Sequence, residues 1–295
     1  MSDVVLEAES LAKTYRLGFF RKRVEAARDV SLKVQRGEIF GFLGPNGAGK
    51  TTTIKMLMGL IRPTKGHARV LGKPVPDLEA KQHVGFLPES PYFYDYLTPL
   101  EFLDFCGALC NLDGPTRRAR ARELLEQVGL GHAADRPMRK FSKGMLQRAG
   151  LAQALIHDPE VVVLDEPMTG LDPLGRKDVR DLMVALRQRG KTIFFSTHIL
   201  PDVELVCDRV AIVVGGAVRD VGPLAKLLSP RLLGTEVVTR AAGEEAPRVA
   251  QLAGDADVSA FIRGALERGE TVEAVSPRRE SLEDLFVREA GRQGP

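Results

Sequence analysis

Apolar and polar positions along the chain fall into short β-like stretches at the start: Val4 to Ala8, Val30 to Val34, then Glu38 to Leu43. A glycine-rich turn follows the third stretch. After it comes an apolar helix from about Lys50 to Met58, stopped by Gly59 with Pro63 beyond. From Thr98 to about His157 the pattern reads as helix. The run Val161-Val162-Val163-Leu164 is continuous and mostly β-branched, which suits a strand buried on both faces of a parallel sheet. Val179, Leu182, Met183 and Leu186 share one face of a helix that ends before Gly190, and Thr192 to Phe195 forms another buried strand. Arg209 to Val214 and Ala217 to Val221 read as a hairpin turning on Gly215 and Gly216.

Strand, helix, buried strand, helix, buried strand is the grammar of a doubly wound α/β core, here interrupted by a helical insert over about 90–158. Past Leu228 the texture changes to Ala, Gly, Glu and Arg with weak periodicity. The expectation is a main domain over 1–228 and a small α+β appendage over 229–295. Its last helix would be capped by Ser281, with Leu282, Leu285 and Phe286 as the apolar stripe.

Composition narrows the function classes. With 44% hydrophobic and 27% charged residues the chain reads as an ordinary globular protein. Its 42 Lys+Arg against 39 Asp+Glu leave a near balance that argues against nucleic acid as the main ligand. No apolar run approaches the roughly 18–20 residues that cross a bilayer. The first residues, Met1 to Glu7, lack the basic start and apolar core of a secretion leader, so a cytoplasmic protein is expected. Cys106, Cys110 and Cys207 read as reduced thiols. The first two are one helical turn apart, either a poor half of a zinc site or core packing.

The candidate chemistry begins at Gly44-Pro45-Asn46-Gly47-Ala48-Gly49-Lys50-Thr51, a P-loop pattern placed after a strand and before a helix. Its glycines let backbone N–H groups turn inward around a polyphosphate, and the helix N-terminus adds its positive dipole end. Lys50 is the candidate for the β- and γ-phosphates, Thr51 for a Mg²⁺ ligand, and Thr52 completes the ATP-binding set. Asp165 and Glu166 end the buried strand, where open α/β sheets hold their ligands. Asp165 is the second candidate Mg²⁺ ligand, and Glu166 the candidate general base for an attacking water.

About twenty residues earlier stands Phe141-Ser142-Lys143-Gly144-Met145-Leu146-Gln147-Arg148. Ser142 reads as an N-cap flanked by a Phe141 and Leu146 staple, so the helix presents an anion-binding N-terminus. One chain already has a phosphate cradle at the P-loop, so a second anion site makes sense if it closes on a phosphate held by a partner chain. The stretch resembles the signature motif of the ABC ATPase family in its Ser-Lys-Gly-Met variant. Gly170-Leu171-Asp172-Pro173 is similar to the family's D-loop and Ser196-Thr197-His198 to its switch-histidine element. The resemblance covers roughly residues 3–225.

That resemblance implies an α/β P-loop NTPase cassette, with a parallel core sheet, an antiparallel β subdomain and the helical insert. It further implies two cassettes head to tail as a homodimer, with ATP and Mg²⁺ between them, under a separate polytopic membrane subunit at the inner face of the membrane. Ser142 and Gly144 would meet the partner's γ-phosphate, Asp172 the partner's P-loop, and His198 the γ-phosphate. Tyr15 matches the aromatic that stacks on adenine, with a partly buried core tyrosine as the rival reading. Glu89, in Gly85-Phe86-Leu87-Pro88-Glu89-Ser90-Pro91, stands where the family usually has a Gln that touches Mg²⁺ and the water. A carboxylate still offers an oxygen there, at the expense of an added negative charge.

Two further features stay open at this level. Pro91-Tyr92-Phe93-Tyr94-Asp95-Tyr96 holds three of the four tyrosines, which suits either a docking surface for a partner helix or packing of the insert. Arg16, Arg21, Lys22 and Arg23 with Phe19 and Phe20 form a basic loop, either solvated or facing lipid headgroups. Transport, with export favoured, is the expected function. The rival is a soluble ABC ATPase working on nucleic acid or ribosomes.

Overall fold

In a computed structural model, which describes residues 3–17, 22–227, 232–241 and 246–279, the chain starts with a long antiparallel hairpin. It joins β1 (Val4–Leu17) to β2 (Lys22–Gln35), with Leu6 opposite Val34 and Tyr15 opposite Val24. Both strands run well beyond the stretches read from the sequence. Arg16 and Arg23 are paired partners within it, so half of the expected basic loop is strand. Phe19, Phe20 and Arg21 lie outside the described residues, as does the expected tail helix at 281–286.

The core then alternates strand and helix: β3 (Ile39–Leu43), α1 (Lys50–Leu57), β4 (Lys65–Val70), β5 (Lys73–Pro74), α2 (Leu78–Lys81) and β6 (Val84–Leu87). Three helices make the insert: α3 (Pro99–Leu109), α4 (Gly114–Gln127) and α5 (Lys143–Leu155). The chain returns through β7 (Val161–Asp165), α6 (Pro173–Gln188), β8 (Thr192–Thr197), α7 (Leu200–Val206), β9 (Arg209–Val214) and β10 (Ala217–Pro223). One ten-stranded sheet results, in the order β5-β4-β1-β2-β10-β9-β3-β8-β7-β6. From β9 to β6 the neighbours β9, β3, β8, β7 and β6 are parallel. The pairs among β1, β2, β4 and β5 are antiparallel.

Residue choice explains which strands sit centrally. Every residue of β3, β7 and β8 is buried, which requires cover on both faces. Phe194 packs its ring 5.8 Å from Phe40 and 5.5 Å from Phe42, locking β3 to β8 through side chains as well as ladder bonds. Burial of each such ring contributes about 1.5–3 kcal/mol. The continuous helical reading of 98–157 breaks into three pieces because each has its own start. Thr98 and Glu101 form a capping box with Pro99 behind it, Asp113 caps α4 ahead of Pro115, and Ser142 caps α5. The sequence reading missed β4, β5 and β6, which are short and carry little alternation.

Register places the chemistry. Leu43 is opposite Thr197, and Asp165 is opposite Ser196. The carboxyl ends of β3, β7 and β8 therefore lie side by side, and the loops that leave them share one edge of the sheet.

The chain divides into two compact units after Leu224. The second contains α8 (Leu224–Leu227, which begins at the boundary), β11 (Leu232–Arg240), β12 (Arg248–Leu252), α9 (Asp255–Glu267) and β13 (Thr271–Arg279). Its strands form an antiparallel sheet in the order β12-β11-β13, with α9 packed on all three. Val237 of β11 and Ala265 of α9 are fully buried between sheet and helix.

Candidate functional site

The loop between β3 and α1 wraps tightly because two glycines adopt left-handed backbones, Gly47 at φ 80° and Gly49 at φ 95°. Gly49 is the N-cap of α1, and a Cβ there would collide with the Ala26 carbonyl oxygen of β2. Only glycine lets the loop lie this close to the hairpin. Thr53 Oγ1 donates to the Gly49 carbonyl and ties the first turn down. The result is a surface hollow of about 400 Å³. Pro45, Asn46, Gly47, Gly49, Lys50, Thr51, Thr52, Glu89 and Glu166 line it, and Val24, Glu25 and Ala26 form its far wall.

Lys50 carries its ammonium into this hollow almost fully buried, at 6% exposure. The Nζ donates to the carbonyls of Gly44 at 2.7 Å and Pro45 at 3.2 Å, and stands 3.0 Å from Glu166 Oε1. The Glu166 side chain, 7% exposed, accepts on Oε2 from Thr169 Oγ1 at 3.2 Å and lies 2.9 Å from His198 Nδ1. Its Oε1 is buried without an aligned hydrogen-bond donor. A buried carboxylate edge with only the neighbouring ammonium beside it is a group prepared for a further polar partner.

Asp165, one residue back, accepts from Ser196 Oγ at 2.6 Å. Burial pushes its carboxyl above the ordinary aspartate range, and the hydroxyls of Ser196 and Thr51 partly offset that. Thr51 Oγ1 also lies 3.4 Å from Glu89 Oε2. Thr51, Asp165 and Glu89 thus converge. Among the described residues no set of three or more His, Cys, Asp or Glu side chains forms a metal cluster. A hydroxyl with one or two carboxylates fits Mg²⁺, which takes the rest of its shell from phosphates and water. Cys106 and Cys110 do not both pack in the core, because Cys110 is exposed at the C-cap of α3.

Ser142, Gly144 and Asp172 are not brought to this hollow. They line a second one of about 540 Å³, with Lys143, Met145, Arg148, His132 and Leu171. Ser142 Oγ accepts from the Met145 N–H at 3.3 Å, and Asp172 Oδ1 caps α6 by accepting from the Gly175 N–H at 2.8 Å. Two helix N-termini therefore open onto this second concavity. Tyr15 lines neither hollow. It lies under the Lys13 ammonium, 5.4 Å from its ring centroid, while its strand partner Val24 is in the wall of the first.

Ser196 and Thr169 hold the two carboxylates and were not singled out by sequence reasoning. Ser196 sits inside the quoted Ser-Thr-His element, but only the pairing of β7 with β8 shows what its hydroxyl meets. The aromatic run behaves as a surface. Tyr92 is 87% and Tyr96 65% exposed, whereas Phe93 turns inward against Phe102 at 5.3 Å. Tyr94 bridges Tyr92, Tyr96 and Phe105 by ring contacts.

Comparison with known proteins agrees with this geometry. Residues 27–169 match the family described as ABC transporter. An uncharacterised ABC transporter ATP-binding protein of Synechocystis is 45% identical, over 98% of this chain and 86% of the relative. A fluoroquinolones export ATP-binding protein of Mycobacterium tuberculosis is 40% identical, over 91% of this chain and 88% of the relative. Among solved structures, a dimeric ATP-binding cassette in a post-hydrolysis state, bound to ADP and phosphate, superposes with a TM-score of 0.68. It is 26% identical and covers 74% of this chain and 98% of its own.

Proposed function

Since the chain belongs to the ABC transporter ATP-binding protein family, we propose that it hydrolyses ATP as a homodimer and so drives a separate polytopic membrane subunit. The observation that carries this is the split between the two hollows. Lys50 and Glu166 line one, while Ser142, Gly144 and Asp172 line the other. Each half is incomplete as a phosphate site, and a head-to-tail pair would set one chain's first hollow against the other's second. The dimeric form of the solved relative supports the same reading.

In this reading the P-loop amides, Lys50, Thr51 and Thr52 bind the polyphosphate of ATP. For that, Lys50 exchanges its bonds to the Gly44 and Pro45 carbonyls for phosphate oxygens. Thr51, Asp165 and Glu89 hold Mg²⁺, which neutralises charge on the phosphates when bound. Glu166 accepts the proton of the attacking water, and His198, 2.9 Å from its Oε2, holds that carboxylate and the water in line. Tyr15, outside the hollow itself but paired with Val24 of its wall, supports the adenine from the hairpin side. Closing of the dimer excludes water from the joint site, and opening after hydrolysis moves the membrane subunit.

Complementation between two damaged chains tests the arrangement. Lys50→Ala spoils the first hollow and Ser142→Arg the second, so each alone is expected to be inactive. Mixed, they should recover about a quarter of the wild-type rate. Random pairing makes half the dimers mixed, and each mixed dimer holds one intact site of two. No recovery on mixing would remove the shared-site reading.

Export is the favoured direction, supported by the relative named for fluoroquinolones export. The exposed ring cluster at Tyr92, Tyr94 and Tyr96 is the proposed docking face for the membrane subunit, which would keep the protein at the inner membrane surface. Among the described residues no helix is long and apolar enough to cross a membrane itself. Changing the three tyrosines to Ala should abolish co-purification with the membrane subunit and leave ATP binding unaltered. Undiminished co-purification would rule out this face.

A further inference from the structure

Glu166 has an unusual backbone for its residue type. Its φ is 52°, in the left-handed region that a side chain with a Cβ rarely adopts. That conformation turns the chain sharply after β7 and aims the carboxylate at Lys50 instead of along the strand. A turn of this kind persists only where its surroundings hold it. Both polar groups of the Glu166 backbone are held, by side chains of two different elements. The N–H donates to Ser196 Oγ of β8 at 2.9 Å. The carbonyl accepts from the Thr169 N–H at 3.2 Å and lies 3.4 Å from Gln147 Nε2, which also donates to the Pro167 carbonyl at 3.2 Å.

Gln147 is 4% exposed and belongs to α5, the helix that Ser142 caps at the second hollow. A buried amide at this place reaches two consecutive carbonyls, that of Pro167 and that of Glu166, which also accepts from the Thr169 N–H. It also fixes the distance between the signature-like helix and the catalytic turn within one chain. Side chains of the same size without an N–H donor would fill the space and lose that tie.

We propose that Gln147 is a positioning residue: its amide clamps the Glu166-Pro167 turn to α5 and thereby aims the Glu166 carboxylate. The proposal rests on the reading of Glu166 as general base. It also makes α5 the physical link by which a phosphate seated at one chain's Ser142 is felt at that chain's own Glu166.

The test uses the full-length chain. Gln147→Met keeps the length and unbranched shape and removes the donor, whereas Gln147→His keeps an uncharged ring N–H donor at similar reach. With Gln147→Met, kcat should fall by about 10- to 100-fold, the range that small misplacement of a catalytic group produces. The Kd for a fluorescent ATP analogue should stay within about twofold, because the P-loop is untouched. In the nucleotide-free protein, amide hydrogen exchange across residues 164–171 should quicken, with the rest of the sheet unchanged. Gln147→His should restore kcat to within about threefold of wild type, since the donor is what counts.

If Gln147→Met keeps wild-type kcat while Glu166→Gln loses it, the clamp is wrong and the base assignment stands. If both variants keep wild-type kcat, the base assignment itself has failed. A loss of nucleotide affinity in step with kcat would show a general packing role and overturn the proposal. Should Gln147→Met not fold, Gln147→His decides alone: retained turnover supports the clamp and a tenfold loss overturns it.

Discussion

Glu166→Gln is expected to bind ATP, pair with a second copy and turn over between about 10²- and 10⁴-fold more slowly than wild type, the range contributed by a positioned general base. The substitution keeps the shape of the side chain. Its amide oxygen can still face His198 and Thr169, and Lys50 retains the carbonyls of Gly44 and Pro45. What disappears is the group that takes the proton of water, along with one negative charge beside the phosphates. Binding should therefore hold or tighten while chemistry stalls, so that the ATP-bound pair accumulates and is visible by size-exclusion chromatography with ATP and Mg²⁺. A single-turnover rate within threefold of wild type would sink the assignment. A Mg²⁺ titration of the ATPase rate of Glu89→Gln checks the other carboxylate. The midpoint should move if Glu89 holds the ion, and an unmoved midpoint removes it from the metal shell.

Lys50→Ala should act on both affinity and stability, for different reasons. Loss of a charge-assisted donor to phosphate, at roughly 1.5–3 kcal/mol, weakens ATP binding by about 10- to 100-fold. In the nucleotide-free protein the same change strands the Glu166 carboxylate, only 7% exposed, without its cation. Removing one partner of a buried pair costs about 3–5 kcal/mol. The remaining contacts from Thr169 and His198 keep the cost here near the lower end. Adding Glu166→Gln to Lys50→Ala should then restore most of the lost stability and none of the lost ATP affinity. Urea unfolding and titration with a fluorescent nucleotide separate the two effects. An unchanged urea midpoint for Lys50→Ala alone would show that the ion pair does not stabilise the fold.

These two variants probe opposite ends of one contact, Lys50 to Glu166, separated by more than a hundred positions in the chain. Nothing in local sequence announces that contact. It exists because β3 and β7 each flank β8, so the loops after them leave the same sheet edge. Asp165 shows the same dependence, since burial raises its pKa and the hydroxyls of Ser196 on β8 and Thr51 on α1 partly offset that.

Sequence by itself determined the central strands, the α1 turn and the Ser142 cap, because these depend on near neighbours. A β-branched run such as Val161-Val162-Val163 needs cover on both faces wherever it lies, and Gly49 at φ 95° can be met by little besides glycine. The P-loop and signature residues were legible for the same reason, each being a short contiguous stretch whose backbone does the work. The tertiary structure alone decided which of those residues share a hollow. It joined Thr51 to Asp165 and Glu89, kept Ser142 and Asp172 apart from them, and placed Gln147 against the Glu166 turn. It also split the long helical reading into α3, α4 and α5, and extended the first hairpin beyond its apolar core. The physical reason is range. Propensity, capping and glycine conformation act over a few residues, whereas sheet register and helix packing fix which distant side chains meet.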